Sequence, residues 1–304
     1  MKFTNILFVT DGIRENTVAL RDLLVACKVD TKTLTLLAVM PKLPESLLGY
    51  SDKIKNDILS SLKNEFIAAT NATEQSHLKV EYEFIAADNV MGTILDKLAS
   101  SHYDCLVKVA EDKLGRHKGF EALDMNLIRK SPCPIWIVKG KHQADESPMK
   151  LAVAIDASLN TEESYKLAVR LLRCADSIAK RFSVPIEIVS CWSSVVELAQ
   201  NEPFVNISAQ EIENDRRTTQ ETQLKALTEL IAKSDIQSEH VICQRNGDPD
   251  KEIPAYTLEA QVSLLVMGTL SRRGIAGMLV GNTAENVIAT LDNSILVWPA
   301  KHFA

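Results

Sequence analysis

The 304-residue chain is 46% apolar and 24% charged, the balance of a folded globular protein, and its length suits two domains of ordinary size. No apolar run approaches the ~20 residues of a spanning helix, and the opening MKFTNILFVTDG, with one lysine and an early Asp11, is unlike a secretory leader. A net charge of −6 disfavours non-specific binding to nucleic acid or acidic lipid.

In chain order, the first predicted strand is NILFVTD, Asn5–Asp11, and YEFIAADN (Tyr82–Asn89), CLVKV (Cys105–Val109) and IWIV (Ile135–Val138) follow. The polar stretch GKHQADESP, Gly140–Pro148, then reads as a linker ended by proline. Beyond it the pattern starts again. KLAVAID (Lys150–Asp156) matches the first strand 145 residues on, ICQRNGDP (Ile242–Pro249) and ILVW (Ile295–Trp298) match at 160, and LLVMG (Leu264–Gly268) matches at 159. Blocks recurring in one order mark a duplicated domain. The expected domains are residues 1–143 and 149–304, the second with about 15 extra residues in its middle. Residues 1–143 carry net charge +1 and the rest of the chain, linker acids included, −7.

Between the second copy's strands lie helical patterns. Leu167, Val169, Leu171, Leu172, Ala175 and Ile178 repeat at helical spacing over Glu162–Ala179. The strand IEIVSCW precedes a long irregular segment, Ser193–Asn214. Helices at Gln220–Lys233 and Ile253–Ala260 then flank a strand near His240–Gln244, and a last helix leads to ILVW. The strands are unbroken apolar runs, as in parallel sheets covered on both faces. The fold class is therefore α/β, with two tandem open parallel-sheet domains of Rossmann-like type.

Six cysteines, at 27, 105, 133, 174, 191 and 243, show no zinc-ligand spacing, and a reducing cytoplasm is the expected compartment. Cys105 and Cys191 read as small buried hydrophobes. The six histidines share no ligand spacing, and no P-loop or nucleophile elbow is present. An active enzyme is not expected.

Ligands of open α/β sheets sit outside the carboxyl ends of the strands. In the second copy these ends offer Asp156, then Cys191 and Trp192, then VMGTLSRRGIAGMLVGNTAE (Val266–Glu285). Gly268, Gly274, Gly277 and Gly281 would let backbone N–H groups approach a phosphate, with Arg272 and Arg273 beside them. Asn282-x-x-Glu285 reads as a capping box at a helix whose N-terminus suits an anion. Glycine turns and an ordinary helix cap explain the same letters, and both readings stay open here.

The duplicated halves, the Asp-ended first strand, Gly247-Asp248-Pro249 and the glycine loop before ILVW resemble the universal stress protein family. The likeness runs over nearly the whole chain. With GNTAE at Gly281–Glu285 and LIRKSPCPIWIVKG closing the first half, it is nearest to the tandem, E-type members. The resemblance implies five-stranded sheets flanked by helices, of the adenine-nucleotide alpha-hydrolase-like kind. It also implies pairing of Ile135–Val138 with Ile295–Trp298 as an intramolecular pseudo-dimer, with or without further pairing of chains.

ATP-binding members carry Gly-x-x-Gly and, further on, Gly-Ser or Gly-Thr. By that resemblance Gly268 and Gly281 keep two glycines, Asp156 stands at the adenosine end and the Cys191 backbone meets the base. Ser271 replaces the second glycine, and Asn282 replaces Ser or Thr, with Thr283 one place late. The implied nucleotide-binding set is Asp156, Cys191, Gly268, Ser271, Arg272, Gly281, Asn282 and Thr283, and the implied cofactor is ATP with Mg, at most slowly hydrolysed. In the first copy Val109 takes the place of the first glycine, and Glu111, Asp112, Glu121 and Asp124 would repel phosphates, leaving Asp11 as a turn residue.

The expectation is a cytoplasmic, non-catalytic stress-response protein binding an adenine nucleotide or another small anion in its second half and an unknown protein partner. One alternative is a carrier of an apolar or lipid-like ligand, with Ser193–Asn214 as a lid or apolar wall; another is a ligand-free interaction module.

Overall fold

A computed structural model describes residues 3–26, 31–70, 78–111, 120–139, 148–158, 161–194, 196, 199, 207–269 and 281–299. The first half runs β1 (Asn5–Thr10), α1 (Thr17–Ala26), β2 (Thr33–Pro41), a short 3-10 turn, α2 (Ser51–Thr70), β3 (Lys79–Ala87), α3 (Val90–Ser100), β4 (Cys105–Val109), α4 (Ala122–Lys130) and β5 (Ile135–Val138). The second runs β6 (Leu151–Ala154), α5 (Glu162–Phe182), β7 (Ile186–Trp192), α6 (Ala209–Ser234), β8 (His240–Asn246), α7 (Pro249–Glu259), β9 (Leu264–Gly268), α8 (Asn282–Thr290) and β10 (Ser294–Trp298). The predicted linker lies mostly outside the described residues.

Both halves order their strands alike, and the two sets join into one ten-stranded sheet, β3-β2-β1-β4-β5-β10-β9-β6-β7-β8. Neighbours within a half are parallel. The seam is antiparallel, setting Ile137 opposite Ile295 and Trp136 opposite Leu296. This is the expected strand pairing, and it removes two edges that would otherwise offer unpaired backbone groups.

Strand residues alternate between two apolar layers. Ile6 and Phe8 pack on one face of the sheet, Leu7 and Val9 on the other. Each layer continues across the seam. The first includes Trp136, Val153 and Trp298, and the second Ile137, Leu265 and Ile295. Burial on both faces explains why the strands read as continuous apolar runs.

The Lys139 ammonium reaches the Leu291 carbonyl at 2.7 Å, while its backbone N–H donates to Ser294 Oγ at 3.0 Å. Arg129 Nε donates to Glu285 Oε1 at 2.8 Å. These contacts tie the end of the first half to the last helix of the second.

The helices show where tertiary contact overrides local pattern. In α5, Leu167, Leu171, Leu172, Ala175 and Ile178 are buried as predicted. A reciprocal Thr161/Ser164 cap starts this helix, and Ser183 at φ 54° ends it. By contrast, α6 begins at Ala209, not Gln220, so part of the segment expected to be irregular is helix. Ser208 and Glu211 cap each other at its start, and the intervening AQEIENDRRTTQ is too polar for a core-facing stripe. Only the last turns bury side chains, Leu227, Leu230 and Ile231, against α5. Of the suggested lid, positions 195, 197–198 and 200–206 lie outside the described residues.

Helix α1 packs on α2 and, across the seam, on α5. Within it, burial pushes the Asp22 carboxyl up to about 6, with Arg21 opposing. A carboxyl near its usual value when unfolded but at about 6 when folded binds more protons in the folded state. Stability from this group is complete below about pH 4 and is lost as pH rises through 6, about 2–3 kcal/mol in all. Asp22→Asn is therefore expected to raise unfolding free energy at pH 7.5 and to leave it nearly unchanged at pH 4. Equal effects at the two pH values in urea titrations would refute this.

Candidate functional site

The strand order reverses beside β6 and β9, which are parallel neighbours in register Val153↔Val266. Asp156 follows β6, Cys191 lies in the last turn of the pleat of β7, and Gly268 ends β9. Topology thus places three of the sequence-predicted residues along one carboxyl edge. Gly281 joins them, because its N–H donates to the Thr269 carbonyl at 3.1 Å and Thr269 N–H donates to Trp298 O at 3.0 Å. Thr269, fully buried beneath this link, fixes the N-terminus of α8 against the end of β9. It carries no motif letter, and only its tertiary position distinguishes it.

Each residue has a local reason for its place. Asp156 Oδ1 accepts the Ser158 N–H at 3.0 Å, and Asp11 Oδ1 accepts Ile13 and Arg14 N–H groups at 2.9 and 3.1 Å. Both aspartates fold the turn after the first strand of their half. A Cβ on Gly268 would lie 2.5 Å from Leu167 Cδ2, so this glycine admits α5 close to the strand. Cys191 is half-buried, not buried as the sequence suggested, because it stands where β7 leaves the core. Gly247, at φ 140°, donates its N–H to Trp192 O at 2.8 Å and so folds Gly247-Asp248-Pro249 onto the end of the same strand.

The capping box is corrected. Gly281 is the N-cap of α8, with φ −71° and ψ 146°, and no described side chain caps the helix. Asn282 is the first helical residue and is exposed, as is Thr283. With Gly281 as N-cap, Glu285 is the fourth helical residue, one place beyond the box position, and its carboxylate accepts Arg129 Nε from the other half. Among the described residues no side-chain acceptor meets the backbone N–H groups at the α8 N-terminus, the arrangement that suits an anion. Ser271 and Arg272, with Arg273, Gly274 and Gly277, lie outside the described residues. Among the described residues no group of three His, Cys, Asp or Glu side chains could hold a metal ion.

In the first half, Asp124 does not face outward as a repelling charge. It is fully buried in α4, accepting Lys108 Nζ at 2.8 Å and the Glu111 N–H at 2.8 Å. Asp112 lies outside the described residues, and Glu121 is the N-cap of α4 without a side-chain bond. The two halves therefore share a backbone plan but differ in chemistry at the same strand ends.

A model of the universal stress protein family matches residues 149–299. A universal stress protein E homolog of Haemophilus influenzae is 26% identical over 99% of both chains. The universal stress protein E of Photorhabdus laumondii is 28% identical over 73% of this chain and 69% of its own. Among solved structures, a universal stress protein from Archaeoglobus fulgidus superposes with a TM-score of 0.66 at 18% identity, over 98% of this chain and 99% of that one. That similarity shows the shared fold. No described helix is long and apolar enough to cross a membrane.

Proposed function

Because the chain belongs to the universal stress protein family, we propose that it acts in the stress response by binding, without catalysis, an adenine nucleotide or similar anionic ligand in its second half. The single observation that carries this reading is the N-terminus of α8, uncapped by any described side chain and tied by Thr269 to the end of β9, on the sheet edge that also carries Asp156 and Cys191. Backbone amides there can meet phosphate oxygens, with Asp156 placed for a ribose hydroxyl and the Cys191 strand end for the base. Ser271, Arg272, Asn282 and Thr283 complete the proposed set. Magnesium bound with a triphosphate would balance its charge.

In this reading residues 1–143 and 149–304 are two domains of one origin in a cytoplasmic protein. The first has exchanged its glycine loop for acids, so only the second keeps the anion site. The nucleotide-bound second half would then present an altered surface to a protein partner.

The test is equilibrium binding of ATP with and without magnesium, comparing the parent with an Asp156→Ala/Gly281→Val double variant. The parent is expected to bind, and the double variant to bind at least tenfold more weakly, a loss of about 1.4 kcal/mol. Equal affinities would remove the site from this edge of the sheet.

A further inference from the structure

The anion site proposed for the second half carries an acid of its own. Glu285 stands in the first turn of α8, where its backbone N–H donates to the Gly281 carbonyl at 3.0 Å. Each Cα–Cβ bond of an α-helix tilts toward the N-terminus, so this side chain sets out over the turn that would hold the anion. A carboxylate there favours an empty helix start, whose N–H dipoles attract it, and repels a phosphate brought to the same place.

The first half supplies the opposite charge. Arg129, in the last turn of α4, donates Nε to Glu285 Oε1 at 2.8 Å, and the two residues are 156 positions apart in the chain. Among the described residues this guanidinium is the group that meets the Glu285 carboxylate. Arg129 follows Leu127 and Ile128, both fully buried, so its backbone is firmly placed. The two side chains are 39% and 33% exposed, and a bridge so open to water contributes little to stability. Nor does the duplication repeat it. The fourth residue of α4 is Met125 where α8 has Glu285, and the eighth residue of α8 is Ala289 where α4 has Arg129. The bridge therefore marks the start of α8 and not the start of α4.

We infer that Arg129 is a positioning residue for the anion site of the second half, which it serves by neutralising and holding Glu285. The inference rests on the anion-site reading above. It makes the site a joint product of both halves, with the charge that admits a phosphate supplied from across the seam.

Metal-free ATP is titrated into the parent, Arg129→Gln, Glu285→Gln and the double variant. At low salt Arg129→Gln is expected to bind about fivefold more weakly than the parent, and Glu285→Gln about fivefold more tightly. The double variant should return to within about twofold of the parent. At about 0.5 M salt, where screening acts within roughly 4 Å, the spread should close to about twofold. Arg129→Lys should bind like the parent, and adenosine, which has no phosphate, should show no such order.

A bridge that merely ties the halves together would move both single variants in the same direction. That result, or single variants indistinguishable from the parent, would overturn the role of Arg129 and leave the anion site standing. A double variant as weak as Arg129→Gln would also overturn it, because Arg129 would then act on the ligand directly. A parent that binds no ATP would overturn the anion-site reading, and this inference with it.

Discussion

Replacing Asp124 by alanine is expected to lower the free energy of unfolding by about 3–5 kcal/mol, since it strands a buried ammonium. Lys108 is the fourth residue of β4 and Asp124 the third of α4; their side chains are 6% and 0% exposed. Among the described residues the lysine has one other acceptor, the Val109 carbonyl at 3.0 Å, and the lost carboxylate would also abandon the Glu111 N–H. The second half shows what an apolar solution looks like. The fourth residue of β9 is Met267 and the third of α8 is Ala284, both buried.

The double variant Lys108→Met/Asp124→Ala reproduces that pair. It should recover most of the loss, ending within about 1–2 kcal/mol of the parent, because removing both charges removes the desolvation penalty with the attraction. Urea titration of the parent, both single variants and the double variant measures the coupling. A cost below about 1 kcal/mol for Asp124→Ala would mean that water reaches Lys108 and that the pair acts as a surface bridge.

Placing an aspartate at Ile137 should be at least as damaging, lowering stability by roughly 5 kcal/mol, because it sets an unpaired carboxyl between two apolar layers. Ile137 and Ile295 are both fully buried and face each other across the only antiparallel strand pair among the described residues. Ile137→Val, which changes only packing, should cost about 0.5–1.5 kcal/mol.

The seam is also a test of cooperativity. Both apolar layers run through it, so the parent should unfold in a single transition, with tryptophan fluorescence and far-ultraviolet dichroism coincident. Ile137→Asp should destabilise both halves, with partial recovery at low pH where the new carboxyl is neutral. If it cost no more than Ile137→Val, or left one half folding unchanged, the halves would be energetically separate bodies that merely touch.

Much of the fold was legible before any coordinates. LLVMG is β9 residue for residue, IWIV is β5, and ILVW differs from β10 by one residue, because a strand buried on both faces needs an unbroken apolar run. The stripe of α5 was equally plain. The start of α6 was not, since a helix that packs only its last turns leaves its first turns free to be polar, and their helical state rests on the Ser208–Glu211 cap and continuity with the packed end.

The candidate site was legible as a set of strand ends and illegible as a set of contacts. Asp156, Cys191 and Gly268 could be placed on one edge from strand order alone. That Gly268 makes room for Leu167, and that Glu285 answers to Arg129 instead of its own helix cap, could not be read. Each partner is remote along the chain, and no local spacing encodes it.

The duplication, the α/β class, the parallel strands and the absence of a glycine loop from the first half could all be read from the amino-acid sequence. All of these follow from periodicity and from residue types repeated in order. The antiparallel register of the seam, the burial of Asp124 against Lys108 and the link from Gly281 through Thr269 to the end of β10 appear only in the folded molecule. Charge pairing and burial depend on which remote residues meet, so Asp124, which in the sequence reads as a charge repelling phosphates, is in the fold the buried partner of Lys108.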